Sequence, residues 1–247
     1  YYPRCICTLP GAIITYAFDK VVSSNADMPD PDSANQHYPI ETSPLISSEP
    51  LSLDDQLRQG DGLFALGLYQ NAADSYKKAI QLSGSDPAIL GRYGDILAGL
   101  SRWSEAAQVY NQSLTQKPDP ALYNAYGASL IKLNRYEEAL DSFNASLEID
   151  PDNGSAYTGI GKAYELLKLP EPAAEAYKKA VDLDSTQTPA WIGYGNVLNS
   201  LEQYSESAGA YEKAISLGVT GADIYTKYGG VLRKLGRDGE ANKAMST

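Results

Sequence analysis

Two thiols, Cys5 and Cys7, and one imidazole, His37, are the whole thiol and imidazole inventory of this 247-residue chain. A closed zinc site needs about four such ligands, so these three fall short unless carboxylates complete the set. Two cysteines also cannot form a disulfide framework. Arg4 stands directly before Cys5 and does not suit a lipoprotein cleavage site, so both cysteines read as small apolar residues. His37 lies in a polar stretch and reads as a solvated side chain. The sequence offers no phosphate-cradling glycine loop and no nucleophile–base–acid set. It therefore points to no catalytic residue, no metal and no cofactor. What remains is charge and shape. There are 31 acidic against 20 basic residues, a net charge of -11. Phosphate backbones are held by clustered Lys and Arg that release counterions, so the acidic balance argues against a nucleic-acid partner. Recognition by a surface is the chemistry left open.

The elements that would position such a surface begin after residue 50. Cys5 to Phe18 carries no charge and is too short for a membrane-spanning helix, which needs about 20 apolar residues. Residues 1–18 read as an apolar leader with three readings open: the end of a secretory signal, the tail of a membrane anchor, or an artefact without a role. Export to a periplasm or lumen, or association with a membrane, follows from the first two; a cytoplasmic chain follows from the third. Residues 19–50 hold Pro29, Pro31, Pro39, Pro44 and Pro50, and one Lys against six Asp and Glu. Such a segment buries too little apolar area to offset its ordering entropy, so it reads as a disordered acidic linker.

From about residue 53 the chain repeats itself. Gly60, Gly94, Gly127, Gly161, Gly195 and Gly229 are spaced by 34, 33, 34, 34 and 34 residues. Sixteen residues after each glycine stand Tyr76, Tyr110, Phe143, Tyr177, Tyr211 and Met245. Twelve after each stand Ala72, Ala106, Ala139, Ala173, Ser207 and Ala241. A fixed period of this length marks a solenoid. Within one period, Tyr123, Tyr126, Gly127 and Leu130 form one helical stripe, and Ala139, Leu140, Phe143, Ser146 and Leu147 form a second. Each unit is thus a helix hairpin that buries its faces only by stacking on its neighbours. Small residues at Gly127 and Ala139 allow the two helices to cross closely. Repeat one carries Gln56 and Gln59 where the other repeats carry apolar or aromatic residues. Those polar positions predict a capping unit on which neither an earlier repeat nor the linker docks.

These residues resemble the tetratricopeptide repeat, read here as Trp191-x2-Tyr194-Gly195-x2-Leu198 and Ser207-x3-Tyr211-x2-Ala214. The domain spans residues 51–247, with repeats at about 53–86, 87–119, 120–153, 154–187, 188–221 and a partial 222–247. The resemblance implies an all-α solenoid, a right-handed superhelix whose first helices line a concave face that binds peptides or protein partners. Carried over by position, the partner-binding residues are Asp61, Asp95, Asn124, Ala128, Lys132, Thr158, Lys162, Glu165, Ile192, Asn196, Asn199 and Arg233. At these positions repeats one and two present acids without a base, while later repeats present mixed charge. The predicted potential therefore runs from acidic to mildly basic and would orient an extended peptide. Leu57 and Asp61 stand where family members that bind chaperone C-termini place Lys and Asn, and an aspartate repels a carboxylate. The last hairpin lacks a polar closing helix, which points to self-association at that end as one reading. A non-enzymatic scaffold or adaptor, acting in complex assembly, is the leading expectation. The alternative is the recognition arm of a larger enzyme, such as a glycosyltransferase or kinase.

Overall fold

The computed structural model describes residues 51–246; the leader, the linker and the expectation that the linker does not dock lie outside them. The described residues form twelve α-helices and no strand. They pair into six hairpins: α1 (Leu53–Ala65) with α2 (Tyr69–Ser83), α3 (Pro87–Gly99) with α4 (Trp103–Leu114), and α5 (Pro120–Lys132) with α6 (Tyr136–Ile149). The remaining pairs are α7 (Gly154–Leu166) with α8 (Pro170–Leu183), α9 (Thr188–Ser200) with α10 (Tyr204–Ser216), and α11 (Ala222–Lys234) with α12 (Asp238–Met245). Each helix packs on the one before and the one after it. From α3 onward the first helices of neighbouring repeats also touch, and no pair of second helices does so to a comparable extent. The first helices therefore crowd together on the inner side of the stack.

Local chemistry sets the helix ends. Asp86, Asp119 and Asn153 accept backbone N–H bonds at the starts of α3, α5 and α7. Pro87 and Pro120 follow as first-turn residues, where a missing N–H costs nothing. Every first helix ends the same way. Seven residues after the key glycine the backbone turns left-handed, at Gly67, Ser101, Asn134, Lys168, Glu202 and Gly236. One residue further on, an N–H reaches back to the final turn, as Arg135 does to the Leu130 carbonyl at 2.9 Å. That reversal is what folds each hairpin.

The glycine and aromatic columns are the packing contacts of the stack. A Cβ at Gly127 would come within 2.8 Å of the Phe143 ring, and one at Gly60 within 2.5 Å of the Tyr76 ring. The same rings also press on the next repeat: Phe143 lies against Gly159, and Tyr177 against Gly193. A side chain at either glycine would collide with the ring. Each aromatic is thus gripped by its own hairpin or by two repeats at once, and Tyr76, Tyr110, Tyr177 and Tyr211 are at most 2% exposed. The two polar positions of repeat one differ. Gln56 is buried, and its Oε1 has no hydrogen-bond partner. Gln59 is exposed.

Candidate functional site

The residues one position after the key glycines sit on the inner helices, directly above the buried tyrosines. The Tyr76 hydroxyl donates to Asp61 Oδ1 at 2.5 Å. Tyr110 donates to Asp95 Oδ1 at 2.8 Å, and Tyr211 to Asn196 Oδ1 at 2.9 Å. In repeat four this position is Lys162, which is no acceptor, and Tyr177 donates instead to Glu165 Oε2 at 3.0 Å. The same Glu165 oxygen accepts from Lys162 Nζ at 3.0 Å. In repeat three the ring is Phe143, which has no hydroxyl, and the position above it is Ala128. Burial raises the tyrosine hydroxyls, with the adjacent carboxylates adding to the shift at Tyr76, Tyr110 and Tyr177. Tyr211 is pushed up to about 12, first by burial and then by the nearby Asp223 charge. Burial also raises the Asp95 carboxyl, against the lowering effect of the Tyr110 bond and Arg92. Four of the twelve expected groove residues therefore serve the fold as well as the surface: Asp61, Asp95, Glu165 and Asn196.

Two others bridge successive repeats. Asn124 Nδ2 donates to Asn153 Oδ1 at 3.1 Å, and Asn153 caps α7 with that same oxygen. The Thr158 hydroxyl bonds Gln187 Oε1 at 2.8 Å, at the foot of α9. Each link joins one first helix to the start of the first helix 29 residues on. Asn124 Oδ1 is buried without a partner. Ile192 is half-buried and packs beside the Ala208, Tyr211 and Ala214 cluster.

The remaining expected residues are open. Ala128, Lys132, Asn199 and Arg233 are exposed. Lys132 Nζ lies 5.7 Å from the centroid of the Trp103 ring, and Arg233 Nη2 reaches Asn242 Oδ1 at 3.3 Å. The small residues of this face do not all leave it shallow. Leu122 Cδ1 lies 3.1 Å from where a Cβ on Gly91 would stand, and the Tyr69 ring 3.2 Å from one on Gly99.

The expectation that repeats one and two show acids without a base is corrected. Arg92 is exposed and shares a cleft with Asp61, Asp95 and the Tyr76 ring. It also lines a neighbouring cleft of about 360 Å³ with Asp95, Lys117, Asp119 and Leu122. This end of the face is mixed in charge rather than acidic. Sequence reasoning missed Arg92 because it stands two residues before Gly94, a position not among those carried over for the inner face, and because Ala125 and Gly159 at the same place in other repeats read as packing.

The described residues hold no group of three or more His, Cys, Asp or Glu side chains placed to bind a metal ion. No helix among them is long and apolar enough to cross a membrane.

Comparison with known proteins agrees with this arrangement. Residues 57–121 and 154–187 match models of the tetratricopeptide repeat, and residues 127–168 match a model of the TPR repeat. No curated protein matches the sequence. Among solved structures, the chain is similar to PilW, described as a widely conserved type IV pilus biogenesis factor. That match has a TM-score of 0.70 at 19% identity, covering 79% of this chain and 91% of PilW. It is similar to pilF of Pseudomonas aeruginosa, with a TM-score of 0.69 at 18% identity over 78% of this chain and 88% of that one. It is also similar to MamA from Desulfovibrio magneticus RS-1, with a TM-score of 0.61 at 25% identity over 67% and 94%. At such identities the two pilus-related likenesses speak for the fold alone.

Proposed function

This chain belongs to the tetratricopeptide-repeat family, and on that premise we propose that it is a non-enzymatic scaffold holding an extended segment of a protein partner on its inner face. Repeats of this kind mediate contacts between proteins. The observation that carries the reading is the set of inner-face side chains left exposed in repeats three to six. Ala128, Lys132, Lys162, Asn199 and Arg233 face solvent on helices whose opposite sides are packed. Asp61 and Asp95, being anchored by tyrosines, present fixed acceptors at the other end of the face. An extended segment laid along it meets fixed acceptors and Arg92 first, then a lysine-bearing stretch. Charge arranged this way sets orientation and on-rate more than affinity. Leu57 packs against the core of repeat one, so it supplies no cation for a terminal carboxylate there.

The apolar leader gives the scaffold a membrane address, by export or by an anchor, where it serves the assembly of a larger complex. Fractionation checks this part: native protein that stays wholly soluble and unprocessed removes it.

Charge reversal tests the inner face. Partners are captured on the full chain and identified by mass spectrometry. Lys132→Glu with Lys162→Glu should then weaken the recovered interaction at least about fivefold, beyond the effect of a rim charge change. Lys178→Glu with Lys179→Glu, on the second helix of repeat four, should leave it nearly unchanged. Equal losses from the two pairs contradict the reading.

A further inference from the structure

Repeat three is open on its outer side where repeat four is closed. In repeat four, Lys179 lies 18 residues after Gly161 and places its Nζ 5.3 Å from the centroid of the Tyr157 ring. Tyr157 lies four residues before the same glycine. The matching positions of repeat three are Ala145 and Tyr123. Repeats one and five also carry lysine there, Lys78 and Lys213, and repeat two carries Gln112. Only in repeat three is this side chain a methyl. A groove of about 250 Å³ remains, lined by Tyr123, Tyr126, Glu138, Asp141, Ser142 and Ala145.

The groove has the chemistry of a cation site. Its floor is two half-buried tyrosine rings, and its rim is two carboxylates. The Ser142 hydroxyl donates to the Tyr123 carbonyl at 2.8 Å, which fixes the floor to the wall. Glu138 is already engaged by Arg135, whose guanidinium holds its carboxyl below the usual range. Asp141 is exposed and supplies the available negative charge. A cation over an aromatic face is attracted by the ring, and more strongly so when partly desolvated. The solenoid as a whole is acidic, with 18 basic and 25 acidic residues from 51 to 247, so it draws basic segments toward it.

We propose that this groove receives a lysine side chain from a partner protein, seated on Tyr123 as Lys179 is seated on Tyr157 and directed toward Asp141. The site is distinct from the inner face. Tyr123 and Tyr126 lie on the side of α5 turned away from Ala128.

The probe is the peptide acetyl-Ala-Lys-Ala-amide, with acetyl-Ala-norleucine-Ala-amide as its uncharged control. Tyrosine ring signals of the full chain are followed by NMR, and the Tyr123 signal is assigned with Tyr123→Phe. The lysine peptide should shift the Tyr123 signal, with the norleucine peptide at least about fivefold weaker. Ala145→Lys fills the groove from within the chain and should reduce the lysine-peptide shift at least about threefold. Asp141→Asn, an exposed change that leaves packing intact, should reduce it by a similar factor. The proposal is overturned by no shift with the lysine peptide, by equal shifts with both peptides, or by an undiminished shift in Ala145→Lys and Asp141→Asn.

Discussion

Repeats five and three build the same junction in two ways. In repeat five a buried tyrosine, Tyr211, reaches up to Asn196 on the inner face. In repeat three the ring is Phe143 and the inner position is Ala128, so nothing polar has to be matched. Repeats one and two follow repeat five, with Asp61 and Asp95 as acceptors. The final repeat follows repeat three, with Met245 on Gly229 and Gly230 beside it. Position one after the glycine is therefore tied to position sixteen. A hydroxyl below goes with an acceptor above, and an apolar group below goes with a small residue above. Repeat four shows the rule under strain: Lys162 displaces the acceptor, and Glu165 supplies it from the next turn. The difference separates two kinds of inner-face residue. Some are held by the fold, and some are free for a partner.

The largest expected effect comes from removing a ring altogether. Tyr177 lies against both Gly161 and Gly193 and is 2% exposed. Tyr177→Ala should destabilise by about 3–5 kcal/mol, measured by urea unfolding, because neither glycine can fill the void. Next comes the tie itself. Asp95→Ala leaves the Tyr110 hydroxyl unmatched and should cost about 1–3 kcal/mol. Adding Tyr110→Phe imitates repeat three and should recover most of that loss. A double-mutant cycle with no coupling between these two sites breaks the comparison.

A smaller effect is expected at the hairpin turns. Lys168 and Glu202 hold φ of 62° and 60°, where Gly67 and Gly236 sit without steric penalty. Lys168→Gly should raise stability by about 0.5–1 kcal/mol, less whatever the unfolded chain gains in freedom. The smallest effect is a pH dependence. The folded-state carboxyl of Asp95 is raised above its unfolded value, chiefly by burial. Its contribution is therefore full below the unfolded carboxyl range and is lost as pH rises through the folded value. Asp95→Asn keeps an acceptor, as Asn196 does, without the charge. Its stability relative to the parent chain should improve from pH 4 to pH 7, read from paired urea titrations.

Much of this was legible in the residues alone. The period, the hairpin and the small-residue crossings follow from columns that recur six times. Even the tie was visible, since Asp61 with Tyr76, Asp95 with Tyr110 and Asn196 with Tyr211 lie 15 apart, against Ala128 with Phe143. It went unread because the two positions sit on different helices of a hairpin, and periodicity along one helix does not pair them. Arg92 was obscured because its position, two before the glycine, is not among those carried over for the inner face, and its column mixes Arg58 and Lys227 with Ala125, Gly159 and Gly193. The outer groove of repeat three required coordinates, since what marks Ala145 is the reach of Lys179 in the adjacent repeat.

Ala128 offers the most direct measurement. It is exposed on the inner face and bears no hydrogen bond to the ring beneath, so a photo-reactive phenylalanine analogue fits there without disturbing the stack. The same analogue at Glu175, exposed on the second helix of repeat four, serves as the outer control. In cells expressing the full chain, light should join a protein partner to the Ala128 variant and leave the Glu175 variant largely unlinked. Equal linking at both sites, or linking from Glu175 alone, contradicts a scaffold that holds its partner on the inner face.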